Sequence, residues 1–224
     1  MKRNVDLADI SDGKLYTEND MAKLGCNDCA GCSACCQGMG ASIVLDPLDI
    51  YRLTTGLGKS VEELLQEAIE LNVVDGVILP NIAMNAGQEA CAFLNEEGRC
   101  SIHSHRPGIC RLFPLGRYYE DGDYKYILQV NECAKGNRTK VKIDKWIDTP
   151  KVKENHAYHV KWHYFLNRME EVLASVEDEN MVKQLNMVVL QMFFLSPYDG
   201  QVDFYEQFYA RMSRMEAFLQ EAGV

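Results

Sequence analysis

The sequence lacks a long apolar run. Its longest, near Val188–Leu195, is interrupted by Gln191 and is far shorter than the ~20 residues a membrane span needs. The opening MKRNVDLADISDG has no apolar core and carries Asp6, Asp9 and Asp12, so no export leader is expected there. A surplus of positive charge is also missing. Lys and Arg number 23 against 33 Asp and Glu, a net charge of −10, which argues against a generic nucleic-acid or anionic-membrane binder. There is no G-x-S-x-G elbow, P-loop, H-E-x-x-H or G-x-G-x-x-G loop, so the common signatures of hydrolases, nucleotide binders and zinc peptidases are absent. With 47% hydrophobic and 25% charged residues, the expectation is a globular protein of the cytoplasm whose partners include neither nucleic acid nor membrane.

Cysteine is present, and unevenly. Five of the nine lie in Cys26-x2-Cys29-x2-Cys32-x2-Cys35-Cys36; the others are Cys91, Cys100, Cys110 and Cys133. In a reducing compartment such clustering reads first as metal ligation and second as redox chemistry. Two thiols three positions apart can meet at one ion across a tight turn. Gly25, Gly31, Gly38 and Gly40, with Ala30, Ser33 and Ala34, let the backbone bend closely around it and aim N–H groups at sulfur. Between Gly25 and Gly40 only Met39 is a large apolar side chain. Burial within the segment therefore cannot offset the entropy of ordering it, and a metal with ligands from outside is required. Cys91, Cys100, Cys110 and Cys133 are the available supply. Adjacent side chains diverge, so Cys35 and Cys36 suit two neighbouring ions, or a ligand and a near-ligand; a strained vicinal disulfide is the alternative.

A second motif runs CAFLNEEGRCSIHSHRPGICRLFP from Cys91 to Pro114. It reads as a hairpin of Cys91–Leu94 and Cys100–His103 that presents Cys91 and Cys100. Arg106 and Arg111 flank Cys110 and would stabilise a negative metal–thiolate centre, or else form ordinary ion pairs. In an extended strand His103 and His105 would share a side and be able to ligate or hydrogen-bond to sulfur. His156, His159 and His163 share a helix face, either as a second metal site or as ordinary histidines of an amphipathic boundary.

Elsewhere the pattern predicts a strand at Ala41–Leu45, a helix from Asp46-Pro47 stopped by Gly56 and Gly58, and a capped helix from Ser60 to about Leu71. Strands are expected at Gly76–Leu79, ended by Pro80, and at Tyr124–Val130. Helices are expected at about 152–174, 178–195 and 202–221, the last with a Phe204, Phe208, Met212, Met215, Leu219 stripe that is core packing. The stretch 135–161 is basic and reads as a solvated face or a docking site for an acidic partner.

The C-x-x-C-x-x-C-C run at Cys29, Cys32, Cys35 and Cys36, the Cys91–Pro114 motif and IVLDPLDIYRLTTGLGKSVEELLQ together resemble the YkgJ-like CxxCxxCC cysteine-cluster family, described as zinc- or iron-chelating domains. The resemblance covers about residues 22–135. It implies eight metal cysteines: Cys29, Cys32, Cys35, Cys36, Cys91, Cys100, Cys110 and Cys133, with Cys26 outside the pattern. The family includes flagellin lysine N-methylases, which use S-adenosylmethionine and are associated with an iron–sulfur centre. Those chains are considerably longer than this one. On that resemblance the alternative function is a metal-dependent enzyme modifying a protein substrate, with Arg106, Arg111 and His103 beside its cofactor.

Eight thiolates would make two four-cysteine zinc sites, or one [4Fe–4S] cluster with a zinc or a redox pair. The C-x2-C-x2-C step is that of cubane clusters and favours iron–sulfur. All-thiolate ligation excludes magnesium and calcium. The expected architecture is α+β: a loose arm at 1–20, an irregular cysteine-rich metal-binding domain with short strands at 21–140, and a helical segment at 141–224 packed on it.

Overall fold

The computed structural model describes residues 6–27, 32–85, 87 and 89–224. In chain order the elements are α1 (Leu7–Ile10), β1 (Met21–Gly25), α2 (Pro47–Leu57), α3 (Val61–Glu67), β2 (Ile69–Val74), β3 (Val77–Ile82), β4 (Met84–Asn85), β5 (Ala90–Cys91), α4 (Gly108–Leu112), β6 (Leu115–Glu120), β7 (Asp123–Leu128), β8 (Thr139–Lys142), α5 (Ile143–Ile147), α6 (Val152–Ser175), α7 (Glu179–Leu190) and α8 (Phe204–Ala222). The strands pair antiparallel in twos, β1 with β8, β2 with β3, β4 with β5 and β6 with β7. The fold is α+β. Among the described residues no helix is long and apolar enough to cross a membrane.

Local chemistry explains most of these elements. Asp46 caps α2 in a reciprocal box with Asp49, and Pro47 fills the first helical position, where a missing N–H costs nothing. Gly58 ends α2 with φ +65. Gly56 does not stop the helix. It lies inside it, and a Cβ there would fall 2.2 Å from His105 Nδ1, so this glycine lets the two segments approach. The helix capped by Ser60 ends at Glu67 rather than Leu71. The Leu71-Asn-Val-Val segment is drawn into β2 by the Asp75-Gly76 turn, both residues at positive φ, which is the backbone a two-residue hairpin requires. Strand β3 continues through Pro80. Because Pro80 has no N–H, its other edge cannot carry a full ladder. Ala41–Leu45 accordingly makes only a bridge at Val44–Asn81, with Leu45 N–H donating to Pro80 O at 2.8 Å.

The arm expected to be loose is tied down over its described part. Ser11 and Tyr16 bridge to Gln129 and Tyr126, and Tyr16 and Tyr126 exchange backbone bonds of 2.8 Å. Backbone donors and acceptors along β7 thereby gain partners.

One large core joins α2, α3, β2 and β3 to α6, α7 and α8. Tyr158, Phe193 and Phe208 lie fully buried within it. A smaller core lies between β1, β6, β7 and α5. Polar groups stitch the parts together. Leu48 N–H donates to Tyr158 Oη at 3.1 Å, and Asn186 accepts from Ile78 N–H and donates to Gly76 O. The C-terminal helices thus cover the face of α2, α3 and the β2–β3 hairpin that these small elements cannot bury alone.

Candidate metal centre

Four pieces of chain converge on one cavity. The first is the 3-10 turn Ala34–Cys36, held against β5 by a Gln37–Ala90 bridge and by Gly38 N–H donating to Glu89 O at 2.7 Å. Strand β5 delivers Cys91. The turn Asn95–Gly98 then folds the chain back, with Ser101 N–H on Phe93 O and Asn95 N–H on Arg99 O, which places Cys100. Helix α4 delivers Cys110. This helix is set by Asp49, whose Oδ1 accepts from Gly108 N–H at 2.6 Å.

Cys32, Cys35, Cys36, Cys91, Cys100 and Cys110 all line this cavity, of about 170 Å³. Its remaining wall is mostly apolar, with Ile43, Ile82 and Ile102 contributed by the large core. Arg99, Arg106 and His103 are its basic members. Six of the eight expected ligands are therefore brought together. Cys29 lies outside the described residues. Cys133 is not among the lining residues, although its neighbour Glu132 is. Cys26, outside the motif, follows β1 and is not among the residues lining the cavity.

The thiols influence one another. Cys35 is drawn down to about 6, chiefly by a hydrogen bond from the Cys36 thiol, with Arg106 assisting against the opposing effect of burial. Cys36 is pushed far up by that same bond, then by burial and by the nearby Cys91 and Cys100. Burial raises Cys91, Cys100 and Cys110, each opposed further by neighbouring thiolates. Arg106 favours ionisation of Cys100 as well. Among the described residues no three His, Cys, Asp or Glu side chains are gathered as for a single metal ion.

The flanking residues separate into two roles. Arg106 donates to His103 Nε2 at 3.0 Å, and both line the cavity. Arg111 does not. Its buried guanidinium donates to the carbonyls of Arg106, Asp148 and Ser104, so it fastens the turn before α4 to the segment after α5. The segment expected to extend through His103 is a 3-10 turn, His103–His105. Two-residue alternation therefore fails, and His105 turns to Gly56.

The three histidines of α6 do not assemble either. His156 pairs with Asp123 and stacks on Tyr124. His163 stacks on Tyr119 at 3.6 Å. His159 is buried, accepting from Arg117 at 2.8 Å with Asp46 3.5 Å from its Nδ1. Burial first, then Arg117, keeps it neutral, well below the usual imidazole range.

Sequence reasoning did not single out Asp49 as a positioning group. The helix start at Asp46-Pro47 was legible, but the bond from Gly108 to Asp49 spans 59 residues and leaves no local signal.

The model of a family described as "CxxCxxCC: Putative zinc- or iron-chelating domain" matches residues 28–146. The chain belongs to the CxxCxxCC family. No curated protein and no solved structure matches it. The match starts within the first thiol loop and runs past β8 into α5, so it includes every thiol at the cavity. The donor set fits the family's description: sulfur is a soft ligand that selects zinc or iron over magnesium or calcium.

Arg106 gives a test of the electrostatics. Arg106→Gln is expected to lower metal affinity by about 10–100-fold, the usual cost of losing a group that tunes its ligands. Competition with a chromogenic chelator measures this, and an unchanged affinity would show that the guanidinium does not act on the thiolates.

Proposed function

We propose that this CxxCxxCC protein holds a thiolate-ligated inorganic centre in the cavity, using Cys32, Cys35, Cys36, Cys91, Cys100 and Cys110 together with Cys29 and Cys133. The carrying observation is the convergence of six cysteines from four separate chain segments on one small apolar space. Half-buried thiols that oppose one another's ionisation are poor packing units; a metal cation makes their thiolates favourable and releases the protons.

The favoured centre is a [4Fe–4S] cluster, with zinc the alternative. One feature of the sequence supports the cluster. The C-x2-C-x2-C spacing suits three corners of a cubane with the fourth ligand from elsewhere. When bound, such a centre supplies a site for electron transfer or fixes the fold. The protein's own part is to hold it dry behind Ile43, Ile82 and Ile102, and to balance its negative charge with Arg106.

The methylase alternative receives less support. A cavity of about 170 Å³ is smaller than the roughly 300–1,000 Å³ of sites for organic ligands, and S-adenosylmethionine is a large one.

Anaerobic purification followed by iron, acid-labile sulfide and zinc analysis tests the reading. Brown protein with equal, stoichiometric iron and sulfide is expected. Colourless protein with stoichiometric zinc would replace the cluster by zinc sites, and metal-free folded protein would overturn thiolate ligation altogether.

A further inference from the structure

A second concave site is a groove of about 390 Å³ between the β1–β8 ladder and the N-terminal arm. None of the cavity cysteines lines it. Four cations do: Lys14 from the arm, Lys23 from β1, and Arg138 and Lys140 at the start of β8. In a chain of net charge −10 this is a marked local excess.

The arrangement is costly without an anion. Lys23 and Lys140 are direct partners across the antiparallel ladder, and both are exposed. Like charges placed opposite each other destabilise a sheet. Among the described residues, Lys14, Lys23 and Lys140 have no carboxylate at ion-pair distance. The Arg138 guanidinium has a buried nitrogen with no hydrogen-bond partner, and such a donor normally has one. The one acid in the groove, Asp12, already accepts from Tyr16 Oη at 2.6 Å and from Lys14 N–H. The floor is apolar, with Met21, Leu128 and Val130. A few charged groups set over an apolar floor, in a space of this volume, is the composition of an organic-ligand site.

We propose that this groove binds a small organic anion. Its phosphate or carboxylate group lies among Arg138, Lys140, Lys23 and Lys14, whose positive charges favour it. Its apolar body rests on Met21, Leu128 and Val130. The site is independent of what occupies the cysteine cavity.

Calorimetric titration of the chain as purified tests the proposal with three probes: inorganic phosphate, phenyl phosphate and benzoate. One-to-one binding of an aryl anion is expected, tighter than inorganic phosphate because the ring covers the apolar floor. The preference between phenyl phosphate and benzoate identifies the head group. Lys140→Glu separates binding from folding, because the two effects have opposite signs. It replaces the Lys23–Lys140 repulsion by an attraction, so the melting temperature should rise, while aryl-anion affinity should fall by about ten-fold or more with the loss of a charge-assisted bond. Lys14→Gln, outside the ladder, should also weaken binding and leave metal content unchanged. Absence of aryl-anion binding at millimolar concentration would overturn the proposal. Equal binding by native protein and both variants would overturn it too, since the anion would then sit elsewhere.

Discussion

Cys110→Ser is expected to lower metal affinity by more than about 100-fold, because losing a ligand costs more than losing a group behind one. Cys110 projects from α4 into the cavity shared with Cys35, Cys91 and Cys100, and a serine hydroxyl is a hard, weakly acidic substitute for a soft thiolate. Structural zinc alone is worth on the order of 10–16 kcal/mol of folding free energy in small domains. Loss of the centre should therefore also lower the melting temperature and remove hydrogen-exchange protection from residues 32–36 and 91–110. Cys26→Ser, a change outside the cavity, should retain full metal content. Elemental analysis of both variants checks this, and normal metal in Cys110→Ser would remove that cysteine from the ligand set.

Phe208→Ala should destabilise the whole chain by about 3–5 kcal/mol, the range for an aromatic deleted from a packed core. Phe208 is fully buried and meets Tyr158 edge-on at 4.6 Å, with Trp162, Phe193 and Phe204 around it. For a chain of this size the melting temperature should fall by roughly 6–20 °C. Ile43, Ile82 and Ile102 belong both to this core and to the cavity wall, so the variant should also release metal at a lower temperature than native protein. A melting temperature within a degree of native would contradict the reading that helices and cysteine segment share one core.

What was legible in the sequence followed from short-range physics. The three long C-terminal helices stand within a few residues of their predicted ranges because amphipathic spacing and caps are local; the deviation is a π-helical turn at Gln191–Leu195, which lets the end of the second helix widen before Pro197. The α2 start followed from Asp46-Pro47. The grouping of Cys32, Cys35 and Cys36 with Cys91, Cys100 and Cys110 followed from the need of a glycine-rich loop for outside ligands. Long-range pairing was not legible. Strand β1 finds β8 more than a hundred residues away, and each is too short and polar to announce itself. Arg111 illustrates the limit for side chains: its place beside Cys110 suggested a metal-centre role, whereas the carbonyls of Ser104 and Arg106 and the distant one of Asp148 claim it. The His103 turn shows the same for backbone, since a two-residue period has meaning only where a strand exists.

The β1–β8 ladder has a further consequence. Its partners, Met21–Gly25 and Thr139–Lys142, bracket all nine cysteines, so the entry and exit of the whole thiol-bearing stretch stand side by side. A stretch with adjoining ends is portable: it can be spliced into a host at one surface turn without forcing the host's own ends apart. What it would leave behind is its helical cover. A host would have to offer another greasy face to α2 and α3, and the choice of that face is where descendants of such a graft would be free to differ.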